Sequence, residues 1–272
     1  MGRLDAAFAR LREQGRAAFV SYVMAGDPDM AASEAVLHGL PKAGADVIEL
    51  GFPFSDPMAE GPAIQLASAR ALAAGTTLRS VLAMVRRFRD TGADTPIVLM
   101  GYLNPLFVYG FDAFARDAAG AGVDGLICVD CPPEEAEALT DALDATGISL
   151  IRLAAPPTDD ARLQVVARRT SGFVYYVSVA GVTGTKEADA DAVAPAVQRV
   201  RAATGLPVAV GFGIRTPERA AAVARVADAA VVGTALVEEV AKAQAEGVEP
   251  ASRVLPLAKA LADAVHSARE AG

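Results

Sequence analysis

Two carboxylates are placed where they could do chemistry. Glu49 stands inside the apolar run Val47-Ile48-Glu49-Leu50, and Glu60 follows on a loop that holds Pro53, Asp56, Pro57, Gly61 and Pro62. A short apolar run closed by a glycine, here Gly51, reads as a fully buried strand. A carboxylate in such a strand is costly unless it is neutralised, hydrogen-bonded or used. Glu49 is therefore either a paired structural acid or, with Glu60 reaching back over the strand end, half of an acid/base pair. Residue types and spacing leave both readings open.

Other residues point to a ligand. Gly211-Phe212-Gly213 and Gly233-Thr234 each follow a short apolar run. Glycine lets backbone N–H groups approach an anion closely, and a helix starting after Thr234 adds a favourable dipole. As structure alone these are tight turns. The stretch Ser178 to Lys186, SVAGVTGTK, is too long and polar for a minimal turn. It shares residue types with a phosphate loop, but its spacing fails the G-x-x-x-x-G-K pattern. It reads as a mobile lid with Gly184 near a phosphate, or as a plain surface loop. Tyr22, Met100, Ile127, Tyr175 and Phe212 fall in or near strand ends; such residues are usually core, but around a pocket they clasp a flat apolar group.

Composition narrows the chemistry. The two cysteines, Cys128 and Cys131, form a CVDC sequence, and there are only two histidines, His38 and His266. Without a second cysteine pair, structural zinc is not expected, and ordinary core and loop roles are favoured over redox chemistry. Neither histidine follows a strand, so proton transfer falls to carboxylates or tyrosine. The net charge of −8 argues against nucleic acid or an anionic membrane as the main partner. No run approaches the roughly 18 apolar residues of a membrane span. Charges at Arg10, Arg12, Glu13 and Arg16 do not fit a signal peptide. A cytoplasmic location is expected.

The elements that must position these residues alternate along the chain. Strands are expected at 17–24, 47–50, 97–100, 125–129, 149–153, 173–177, 208–210 and 229–232, separated by helical patterns. An amphipathic helix over 3–14 precedes the first strand, with Leu4, Phe8 and Leu11 on one stripe, and an extra helix follows a break at Gly247 to Pro250. Pro133 opens a helix to Ala145, and Thr216-Pro217-Glu218 is a strong helix start. Eight strands in a chain of 272 residues suit a (β/α)8 barrel occupying 1–272 as a single domain. An open doubly wound sheet is the rival. In a barrel, the site lies at the C-terminal strand ends, where the residues above fall.

Six stretches carry a family resemblance: AGDP (Ala25 to Pro28), ELGFPFSDPMAEGPAIQ (from Glu49), GYLNP (Gly101 to Pro105), AGVTG (Ala180 to Gly184), GFGI (Gly211 to Ile214) and the Gly233-Thr234 turn. Together they resemble the tryptophan synthase alpha chain over nearly the whole sequence. The resemblance implies a TIM barrel that cleaves indole-3-glycerol phosphate to indole and glyceraldehyde 3-phosphate, in tryptophan biosynthesis, by a retro-aldol reaction needing neither metal nor organic cofactor. It implies that Glu49 is the catalytic acid/base, with Tyr175 beside it. Thr183, Gly184, Gly213, Gly233 and Thr234 would hold the substrate, the glycines and Thr234 at its phosphate. Phe212, Tyr22, Ile64, Met100 and Ile127 would line the indole pocket.

One departure stands out. The family's second catalytic carboxylate is an aspartate, and Glu60 occupies the matching position, one methylene longer. The resemblance also implies an α2β2 assembly in which indole passes to a beta chain that carries the pyridoxal phosphate. Pro53, Asp56, Pro57 and Asn104 would face that partner. The alternative is a catalytically weak binding subunit that gates a partner enzyme, for which the Glu60 departure is the sole support.

Overall fold

The computed structural model describes residues 2–178, 190–211 and 213–269. Eight parallel strands close into a barrel: β1 (Ala18–Met24), β2 (Val47–Gly51), β3 (Ile97–Gly101), β4 (Gly125–Cys128), β5 (Ser149–Ala154), β6 (Val174–Val177), β7 (Val208–Gly211) and β8 (Ala229–Val232). Each strand pairs with the next in sequence, and β8 returns to β1 in the register Ala18↔Ala229 to Ser21↔Val232. The open doubly wound sheet is thereby excluded, since closure leaves no sheet edge.

Strand side chains alternate between two cores. Ile48, Leu50, Ile97, Leu99, Val208 and Val210 face outward against the helices. Val20, Val47, Val98, Ile151, Tyr175 and Val231 fill the lumen. Strands buried on both faces read as unbroken apolar runs, which is how they stand out in the sequence. Glu49 lies two residues beyond Val47, so the two-residue period of the strand turns it into the lumen.

The helices are α1 (Arg3–Glu13), α2 (Met30–Gly39), α3 (Pro62–Ala73), α4 (Leu78–Asp90), α5 (Leu103–Tyr109), α6 (Phe111–Ala121), α7 (Glu137–Thr146), α8 (Asp160–Ala167), α9 (Ala190–Thr204), α10 (Pro217–Val226), α11 (Thr234–Glu246) and α12 (Pro250–Ser267). The expected stripe of α1, Leu4, Phe8 and Leu11, enters the lumen cluster. Phe8 meets Phe173, just before β6, with ring centroids 5.5 Å apart. The extra N-terminal helix thus caps the N-terminal end of the barrel and leaves the opposite end for a site. The extra C-terminal helix, α12, packs on α10, α11 and α2. Among the described residues no helix is long and apolar enough to cross a membrane.

Local signals explain several boundaries. The Thr216 hydroxyl accepts the Arg219 N–H and Pro217 takes the first helical position of α10, as its sequence predicts. Two elements differ from expectation. The helix expected from Pro133 is a 3-10 turn over Pro133–Glu135, with α7 starting only at Glu137. Between Gly101 and Phe111, where no element was expected, α5 forms. Its N-terminus is capped from a distant loop, because the Asp130 carboxylate accepts the Leu103 N–H at 2.7 Å.

Candidate active site

At the C-terminal end of the lumen a cleft of about 590 Å³, its open mouth included, is lined by Tyr22, Glu49, Glu60, Ile64, Met100, Leu153, Tyr175, Gly213, Arg215, Gly233 and Thr234 among others. Glu49 sits at its floor with 1% of its surface exposed. Neither carboxylate oxygen has a hydrogen-bond partner among the described residues. Among the described residues Glu49 is therefore not a paired structural acid. Burial, with the Glu60 charge adding to it, pushes the Glu49 carboxyl from 4.5 up to about 8. At neutral pH it is mostly a neutral acid, poised to give a proton.

Glu60 shares the cleft and is 5% exposed. The loop that carries it is pinned from several sides. The Ser68 hydroxyl accepts the Phe54 N–H at 2.9 Å and donates to the Phe54 carbonyl at 2.8 Å. The Tyr102 hydroxyl accepts the Ala59 N–H at 3.0 Å, and its ring stacks on Phe54 with centroids 5.2 Å apart. The Gln65 amide donates to the Glu60 carbonyl at 2.8 Å. The first turn of α3 then brings Ile64 to the mouth beside Glu60.

Two tyrosines flank Glu49. Tyr22 is its register neighbour on β1, and Tyr175 stands on β6. Burial raises both phenols well above 10.0, and the two glutamates raise them further. Both rings are therefore neutral hydrogen-bonding and apolar walls. Their hydroxyls lie over backbone without side chains: a Cβ on Gly51 would sit 2.4 Å from the Tyr22 oxygen, and one on Gly211 2.0 Å from that of Tyr175.

The cleft is also lined by Gly213, Arg215, Gly233 and Thr234. Gly213 has φ +72, a left-handed conformation that favours glycine. Gly233 precedes the first turn of α11, whose unpaired N–H groups and dipole attract an anion. Sequence reasoning missed Arg215; its signal was its place just after the glycine turn of β7. Its guanidinium pairs with Glu238 at the rim. Leu153, also missed, adds an apolar wall.

A family model, tryptophan synthase alpha chain, matches residues 8–266. The chain belongs to this family. It is 69% identical over 267 residues to the tryptophan synthase alpha chain of Phenylobacterium zucineum, covering 98% of this chain and 96% of that one. It is 56% identical over 273 residues to that of Gluconacetobacter diazotrophicus, covering 99% of this chain and 100% of the other. Among solved structures, tryptophan synthase subunit alpha from Legionella pneumophila superposes with a TM-score of 0.91 at 41% identity, covering 97% of this chain and 98% of that one. A structure of Mycobacterium tuberculosis tryptophan synthase gives 0.88 at 38% identity, covering 97% of this chain and 98% of that one. Members of the tryptophan synthase alpha chain family are lyases that act on indole-3-glycerol phosphate in tryptophan biosynthesis.

Two residues expected from the resemblance to the tryptophan synthase alpha chain stand apart from their expected places. Ile127 does not line the cleft; it packs in the lumen core beneath, with Tyr175 and Met100. Pro53 is buried, so its ring is closed to a partner, whereas Asp56 and Asn104 are exposed and Pro57 is half-buried. Thr183, Gly184 and Phe212 lie outside the described residues.

Proposed function

We propose that the chain cleaves indole-3-glycerol phosphate with Glu49 as the proton carrier. The observation that carries this reading is the unpaired, buried Glu49 carboxyl at the floor of a cleft walled by Tyr22, Ile64, Met100 and Tyr175, with a second carboxylate beside it. Glu49, neutral at pH 7, gives its proton to indole C3, and the ring becomes a cation. The resulting carboxylate then takes the proton of the hydroxyl on the adjoining glycerol carbon. As that C–C bond breaks, its electron pair returns to the ring, releasing indole and glyceraldehyde 3-phosphate and restoring the acid.

The Glu60 carboxylate faces the indole N–H and stabilises the positive charge that grows on the ring. Gly184, Gly213, Gly233 and Thr234 hold the phosphate end, Thr183 contributes to substrate binding, and Arg215 adds a cation at the rim. Tyr22, Ile64, Met100, Tyr175 and Phe212 clasp the indole. No cofactor enters any of these steps.

A beta chain is the partner that fits, in an α2β2 assembly to which indole is passed. The surface carrying Asp56, Pro57 and Asn104 also exposes the large apolar side chains Met58, Phe107 and Val108, which suits a protein interface. A cytoplasmic setting suits this biosynthetic role.

The test is indole release from indole-3-glycerol phosphate by the purified chain. The chain has no Trp, so indole fluorescence is read against tyrosine alone. Release by the native chain and loss in Glu49→Gln are expected. Equal rates in both would remove Glu49 from the mechanism.

A further inference from the structure

A second cavity, about 740 Å³ with its open mouth included, lies beside the barrel mouth. Cys128, Asp130, Cys131, Arg152, Thr158 and Arg162 are among its walls. Cys128 ends β4 and is buried, while Cys131, in the turn that follows, is partly exposed; both are free thiols. Three residues apart, they line the same cavity, and the Cys128 thiol donates to Asp130 Oδ1 at 3.6 Å. Arg152, on β5, is 8% exposed, and its Nε has no hydrogen-bond partner among the described residues. Its contact with the Thr140 hydroxyl is long, at 3.5 Å. Arg152 lines this cavity together with both cysteines, and no ion pair of Arg152 with a carboxylate occurs among the described residues.

We propose that Cys128 and Cys131 form an oxidisable dithiol, in which Cys131 attacks a hydroperoxide, Cys128 closes the disulfide, and the buried Arg152 guanidinium stabilises the attacking sulfur. Interaction with Cys128, then the Arg152 charge, holds the Cys131 thiol below 9.0, while interaction with Cys131, then burial, raises Cys128. The accessible sulfur is therefore the nucleophile and the buried one stays protonated.

In the first step the Cys131 thiolate bonds to one peroxide oxygen and the O–O bond breaks. Cys131 becomes a sulfenic acid, and the departing oxygen leaves as water or an alcohol after taking up a proton. In the second, the Cys128 sulfur attacks the Cys131 sulfur, an S–S bond forms and the S–O bond breaks. The hydroxyl leaves as water with the Cys128 proton, for which Asp130 Oδ1, 3.6 Å from the Cys128 sulfur, is a relay. The sulfur pair loses two electrons and the peroxide gains them. The same Asp130 oxygen caps α5 through Leu103, so closing the disulfide pulls on the start of that helix. This dithiol is independent of the roles proposed at the barrel mouth.

The experiment exposes the full chain to hydrogen peroxide and follows free thiols and intact mass. The native chain is expected to lose both thiols with a mass decrease of about 2 Da and no dimer. Cys128→Ser should instead accumulate a Cys131 sulfenic acid that dimedone traps, and Cys131→Ser should leave Cys128 unmodified. Arg152→Gln should slow the first step about tenfold, with Arg152→Lys restoring much of the rate. Circular dichroism confirms folding of each variant. A native chain that keeps both thiols under peroxide that oxidises free glutathione would overturn the proposal. So would equal reactivity of the two single-cysteine variants.

Discussion

The Tyr175 hydroxyl on β6 occupies the space that a side chain on Gly211 of β7 would need: a Cβ there would lie 2.0 Å from the phenol oxygen and 2.5 Å from the ring carbon that bears it. The ring reaches the cleft only because Gly211, two residues beyond its register partner Ala209 on β7, is bare backbone. Gly211→Ala should therefore displace the Tyr175 ring. Overpacking of this kind costs about 1–3 kcal/mol. The expected result is a lower urea midpoint together with a raised KM for indole-3-glycerol phosphate. Tyr175→Phe in the same background should not relieve it, because the ring carbon clashes as well. An unchanged midpoint and KM in Gly211→Ala would show that the ring is not held there.

Glu49 makes stability depend on pH. Its carboxyl titrates near 4.5 when exposed and at about 8 in the fold, so between those values the folded chain holds a proton that the unfolded chain has lost. Stability therefore falls as pH rises from about 4.5 to 8 and is flat in this respect above, with a total effect on the order of a few kcal/mol. Glu49→Gln removes the titration. Its Tm should drop less than that of the native chain between about pH 5.5 and 8.5, while indole release falls by at least about 100-fold. Parallel Tm curves for the two proteins would refute the raised carboxyl.

Much of this site was legible in the sequence, for physical reasons that can be named. Glu49 stood out because a charge inside a doubly buried strand has to be explained, and Gly213 and Gly233 because glycine follows two successive strands. Contacts made across the fold were not legible. The cap that starts α5 comes from Asp130, far along the chain, and no local pattern announces it. Arg215 joins the cleft through the turn of Gly213, which sets a cation where spacing showed only a loop. Pro53 was placed at a partner-facing surface by family resemblance alone, yet the Phe54–Ser68 hydrogen bonds fold this part of the loop inward. Ile127 shares the lumen parity of Met100 but packs below the cleft.

The longer carboxylate at position 60 should be matched to this loop rather than a handicap. With Ala59 held by Tyr102 and the Glu60 carbonyl held by Gln65, the backbone has little freedom to follow a shorter side chain. Glu60→Asp withdraws the carboxylate by roughly 1 Å, which costs on the order of 10- to 100-fold in kcat. Glu60→Gln should cost more. It should also lower the pH at which Glu49 titrates, because the Glu60 charge helps raise it. A Glu60→Asp chain as fast as the native one would mean that the loop follows the side chain.

Asp27 and Arg70 tie the loop after β1 to α3, and with it one wall of the cleft. Asp27 is 2% exposed and Arg70 grips it with two hydrogen bonds of 2.7 and 2.8 Å. Burial nevertheless outweighs the guanidinium and raises the Asp27 carboxyl above 3.8. Arg70→Met would strand that carboxylate, a loss of about 3–5 kcal/mol. Because the folded carboxyl titrates above its unfolded value, its contribution to stability falls as pH rises through that window. The Arg70→Met deficit should accordingly be larger at pH 8 than at pH 5 in urea unfolding. Asp27→Asn combined with Arg70→Met should recover part of the loss, since no charge is then stranded. A deficit equal at both pH values, with no recovery in the double variant, would mean that Arg70 acts through packing of its stem and not through its charge.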